Sequence, residues 1–173
     1  MHQTSEHVFY HVFNTSDHPE APDTWAITDE NLASPVEPPT QVSDIAVRSD
    51  GSVVGVYGDL TKVLYKIRSA EGKWSEETIV DKGIGPELSG PILELGKEDV
   101  VHFAYTGNDG SAWYRQILAD GTLTTRQQVA TDTGTEVETN GALLPLVYLP
   151  ENDTVSIVYR LAHCELWERI ANR

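Results

Sequence analysis

A chain of 173 residues is about one domain's worth, enough to bury roughly two-thirds of its unfolded surface. Its 12 Lys and Arg against 27 Asp and Glu give a formal net charge of −15, which argues against sequence-independent nucleic-acid binding and against docking on anionic membranes. The single cysteine, Cys164, excludes an intrachain disulfide and a cysteine-based zinc site, and no apolar run is long enough to span a bilayer.

Taken in order, the chain reads as short β-strands separated by Gly, Pro and Asp turns. Residues 7–13 and 25–28 form two strands around a polar, Pro-containing loop at 14–23. An irregular connection at 34–40, with Pro35, Pro38 and Pro39, leads into a repeated unit. Residues 42–56 align without a gap over 89–103 at an offset of 47, and a third copy runs over 143–157, offset 54 from the second. In each copy an apolar strand turns into a second strand rich in Val and Ile. Third strands follow, with Leu64-Tyr65-Lys66, Trp113-Tyr114-Arg115 and Leu166-Trp167-Glu168 in equivalent places. Fourth strands begin at Trp74 and at Leu123. Residues 160–173 also fit an amphipathic helical stripe through Leu161, Cys164, Trp167 and Ile170, but the repeat favours a strand.

The strand tally is two, four, four and three. A four-stranded antiparallel unit recurring at about 50 residues predicts an all-β fold, a segment of a β-propeller. Its expected blades are 7–30 (partial), 41–81, 89–130 and 142–171 (partial), forming one segment over 1–173. Blades bury their faces against neighbours, so the expectation is part of a larger propeller or a protomer that closes its ring by self-assembly.

Ser69-Ala70-Glu71-Gly72-Lys73-Trp74, and Thr106-Gly107-Asn108-Asp109-Gly110 leading to Trp113, resemble the turn motif of Asp-box (BNR-repeat) propellers. In that motif Ser or Thr, Asp or Asn, Gly and an aromatic residue follow at fixed spacing. The first departs from it by carrying Glu for Asp, and the second falls one hairpin early. The resemblance covers most of the chain and implies a sialidase-like or polysaccharide-lyase-like propeller. The function it implies is glycan-directed: part of a polysaccharide lyase or glycoside hydrolase, or the carbohydrate-binding portion of such an enzyme. The alternative is a non-catalytic, lectin-like or protein-interaction scaffold. The arginine triad and the Arg-Ile-Pro motif of sialidases have no counterpart here.

Four residues are candidates for chemistry. His102, in a second strand, is a candidate general base or sugar-orienting group, with a hydrogen-bonded structural histidine as the alternative. Tyr114 is a second candidate base, although Tyr65 and Trp167 repeat the aromatic and point to blade packing. Arg115 and Arg160 are candidate clamps for a substrate carboxylate or sulfate, with surface ion pairs as the alternative. The carboxylates Asp132, Glu136 and Glu138 lack the alternation of a calcium loop and read as solvated. His7, His11, His18 and His163 lack ligand spacing, so no metal is expected. Nor is a cofactor expected, because no nucleophile elbow, phosphate loop or dinucleotide fingerprint is present. The opening residues 1–6 lack the basic and apolar regions of a secretory signal, so secretion or a periplasmic location is expected only if one lies upstream in the parent gene.

Overall fold

The computed structural model describes residues 2–3, 8–12, 27–33, 44–58, 62–82, 91–106, 111–131, 144–160 and 166–172. They form four antiparallel sheets that follow one another along the chain. Sheet one holds β1 (His2–Gln3), β2 (Val8–Val12) and β3 (Ile27–Ala33). Sheet two holds β4 (Asp44–Val47), β5 (Val53–Gly58), β6 (Lys62–Arg68) and β7 (Thr78–Lys82). Sheet three holds β8 (Ile92–Leu95), β9 (Val101–Thr106), β10 (Ala112–Ile117) and β11 (Gln127–Ala130). Sheet four holds β12 (Leu146–Leu149), β13 (Thr154–Arg160) and β14 (Leu166–Asn172). Within each sheet, hydrogen-bonded neighbours are sequence neighbours. This is an all-β segment of propeller-type blades, two with four strands and two with three.

The sheets stack face to face, and the pleat decides which residue serves which junction. In β5, Val54 and Val56 pack forward with Val101, Phe103 and Tyr105 of β9. Tyr57 of β5 packs backward with Val8 and Leu32 of sheet one. In β9, Ala104 packs forward with Leu146, Val155 and Ile157 of sheet four. Every residue of β5 and β9 is therefore buried. Each aliphatic or aromatic side chain taken from water there contributes about 1.5–3 kcal/mol. The first strands of sheets two, three and four lie side by side, β4 against β8 and β8 against β12. Leu93 donates its backbone N–H to Asp44 Oδ2 at 2.9 Å and ties the first of these pairs.

The turns repeat as faithfully as the strands. Gly51, Asp99 and Asp153 occupy the same place in their hairpins with φ of 83°, 59° and 52°, a left-handed residue that lets the chain reverse tightly. Gly72 and Gly121 do the same in the β6–β7 and β10–β11 turns, at φ of 90° and 86°. Those two turns share one frame: Gly72 donates to Ser69 O and Ser69 to Lys73 O, as Gly121 does to Leu118 O and Leu118 to Thr122 O.

Two sequence expectations change in detail, and a third, the strand that the repeat favours over a helix near residue 167, holds. Sheet one gains a third strand, β1, paired with β2 through His2–Phe9 and Gln3–Val8. Residues 166–172 are a strand paired along β13, not a helix. The register between sheets two and three is 48, not 47: Val47–Val53 closes one hairpin as Leu95–Val101 closes the other. One residue of slip moves every side chain to the opposite face. His102 therefore corresponds to Val54, and Gly55 corresponds to Phe103. Gly55 faces sheet one, where an added Cβ would lie 3.1 Å from Leu32.

Candidate functional site

The pleat brings His102 and Tyr114 together. Both lie on the forward face of sheet three, and both are nearly inaccessible, at 2% and 4% exposure. His102 Nδ1 and the Tyr114 hydroxyl share a hydrogen bond of 2.6 Å. Gln116, directly across from His102, brings its amide Nε2 to 3.5 Å from the same nitrogen. Both groups bear on Nδ1, and the tautomer of the imidazole sets whether the tyrosine hydroxyl donates to it or accepts from it. The imidazole also stacks on Tyr148 of sheet four, with centroids 5.2 Å apart and planes 19° apart. Glu94, across from His102 on β8, has its carboxyl held above the usual range by burial, with the negative charge of Asp44 adding to the effect.

The repeat shows what is particular to this place. Tyr65 stands one sheet back at the position of Tyr114, and its hydroxyl donates to Gly121 O of the next sheet at 2.9 Å. Tyr114 instead turns its hydroxyl to an imidazole that replaces Val54.

Beside this pair lies an open cleft of about 540 Å³. Tyr114, Gln116 and Gln127 come from its strands, Glu98 and Val100 from the β8–β9 turn, and Leu118, Ala119 and Asp120 from the β10–β11 turn. The lining thus sets two amides, a phenol and two carboxylates around an apolar patch. No cation is among these residues. Asp120 accepts the Thr122 backbone N–H at 2.8 Å. The Thr122 bonds hold its carboxyl below the usual aspartate value, with the charge of Arg48 a smaller contribution.

Arg115 does not join the cleft. It follows Tyr114 directly, so it projects from the other face of β10. Its Nε donates to Thr124 O at 2.7 Å, and its Nη1 donates to Val80 O of sheet two. Lys66, its counterpart one sheet back, makes the same reach to Leu32 O at 2.9 Å. Arg115 is thus one of a repeated series of cations that grip the carbonyls of the preceding sheet's last strand. Arg160 ends β13 opposite Leu166, and its side chain lies outside the described residues. Asp132, Glu136, Glu138, His7, His18, His163 and the hairpin at 107–110 also lie outside them. Among the described residues, no group of three His, Cys, Asp or Glu is placed to hold a metal ion, and no helix is long and apolar enough to cross a membrane.

The cleft residues not anticipated from sequence are Glu98, Gln116, Asp120 and Gln127. A signal for one of them was present: Gln116 is two residues from Tyr114 in a strand and must share its face. No protein-family model matches the chain, and no curated protein matches it closely enough to count as a relative.

Proposed function

We propose that this chain is a glycan-directed propeller segment of the Asp-box type that acts by binding rather than by turnover, and that its ligand is an uncharged glycan. The observation that carries the reading is the make-up of the cleft beside Tyr114. Two glutamine amides and two carboxylates offer paired donors and acceptors to sugar hydroxyls. Val100, Leu118 and Ala119 offer an apolar surface to the face of a sugar ring. Abstraction of a proton next to a uronate carboxylate needs a cation to neutralise that carboxylate. Arg115 is engaged on the opposite face, and Glu98 and Asp120 repel an anion. A scaffold that engages no sugar is the rival reading.

Titration calorimetry of the chain against neutral polysaccharides, uronate polymers and sialylated glycans tests the proposal. Binding is expected for a neutral glycan alone, without release of product. Combined Gln116→Ala and Gln127→Ala substitution, each removing a hydrogen bond of about 0.5–1.5 kcal/mol, lowers affinity about tenfold. Ultraviolet absorbance from an unsaturated product on any uronate polymer overturns the binding-only reading. Absence of binding to every glycan class leaves the scaffold.

A further inference from the structure

We infer that Arg48 and Ser49 form a clamp that positions both walls of the cleft from the neighbouring sheet. The inference rests on the reading of that cleft as the ligand site. The two walls are turns, and turns are the parts of a sheet least restrained by its ladder. Neither wall is left to itself here. Arg48, 6% exposed, donates from Nη2 to Leu118 O at 2.7 Å and from Nη1 to Ala119 O at 3.2 Å. Leu118 and Ala119 belong to the β10–β11 wall. The next residue, Ser49, donates its backbone N–H to Asp99 Oδ1 at 2.8 Å and its hydroxyl to Asp99 Oδ2. Asp99 neighbours Glu98 and Val100 of the other wall.

A single hairpin turn of sheet two thus reaches both turns of sheet three, and adjacent residues set the spacing between them. A guanidinium suits the task, because its planar fork meets two successive carbonyls at once. General adhesion between sheets does not account for the pair, since the repeat does not carry it forward. Gly96, with no side chain, stands at the position of Arg48 in sheet three, and exposed Lys97 follows it. The clamp belongs to the junction that carries the cleft turns.

Backbone amide exchange combined with neutral-glycan affinity tests this, using Arg48→Met, Arg48→Lys and Ser49→Ala in the full chain. Arg48→Met is expected to speed exchange at Leu118 and Gly121 at least tenfold, leaving Val101–Thr106 unchanged, and to weaken glycan binding about tenfold. Arg48→Lys, which keeps one donor in reach, restores part of both. Unchanged turn exchange, or a rise shared equally with β5 and β9, overturns the inference. If Arg48→Met does not fold, Ser49→Ala decides: faster exchange at Glu98 and Asp99 alone supports the clamp, and no change sinks it. A wild-type chain that binds no glycan, with turns that loosen selectively in the Arg48→Met or Ser49→Ala variant, defeats the proposed function and leaves the clamp standing.

Discussion

Gly96 is where the fold offers its sharpest single-residue test. Its backbone is extended, at φ −96° and ψ −165°, so conformation alone permits any residue. Space does not. A Cβ there would lie 2.2 Å from His102 Nε2, 2.7 Å from Cδ2 and 3.4 Å from Tyr148 Cε2. The ring cannot swing away, because Tyr114 holds its other edge and Tyr148 lies on its face. Gly96→Ala therefore overpacks a closed junction at about 1–3 kcal/mol. For a chain of this size that lowers Tm by roughly 2–12 °C. The assay is urea unfolding of a double-mutant cycle with His102→Ser, the residue found at Ser156 in the equivalent place of sheet four. Removing the ring removes the obstacle, so the alanine is expected to cost far less in the His102→Ser background. Equal costs in both backgrounds, or a wild-type cost under about 0.5 kcal/mol, would refute the steric account.

Three further outcomes follow from the junctions. Glu30 pairs with Arg68 through Nε–Oε1 and Nη2–Oε2 at 2.8 and 3.0 Å, and that bond holds its carboxyl below the ordinary value of 4.5. A lowered folded-state value means the stabilisation is full above pH 4.5 and fades as pH falls through the folded value. Stability curves of wild type and Arg68→Met, separated by about 1 kcal/mol near neutrality, should converge in acid. Tyr105 donates to Asp81 Oδ2 at 3.0 Å, and burial first, then the Asp81 charge, raises its hydroxyl above the ordinary value of 10.0. Its contribution is full below pH 10.0 and is lost as pH rises above it, so Tyr105→Phe should flatten the alkaline limb of the stability profile. Arg115→Met, which strands the Val80 and Thr124 carbonyls, should cost about 2 kcal/mol in urea unfolding while leaving glycan affinity unchanged.

Hairpins were legible because strand runs of Val, Ile, Leu and Tyr are cut by Gly and Asp at regular intervals. Register was less so, and β5 explains why. With both faces covered, Val53, Val54 and Val56 carry no polar residue to mark which side is which. An alignment slipped by one residue then looks as good as the right one. His102 and Tyr114 were legible as unusual residues. Their union was not, since it depends on register across β9 and β10. Arg115 was separable from Tyr114 in advance, because adjacent strand residues point apart. Arg48 gave no local sign. Its partners, Leu118 and Ala119, are backbone carbonyls some 70 residues on, and a carbonyl leaves no trace in residue identity.

The unbroken burial of β5 and β9 also shapes how such a chain changes over time. A bulkier side chain on a forward face can be accommodated only by the sheet that follows, and one on a backward face only by the sheet before. Compensating substitutions should therefore couple positions about one blade apart, with opposite pleat parity assigning each pair to its own junction. A duplicated blade inserted whole inherits both halves of this code and meets neighbours already shaped to receive it, whereas a strand inserted alone meets none.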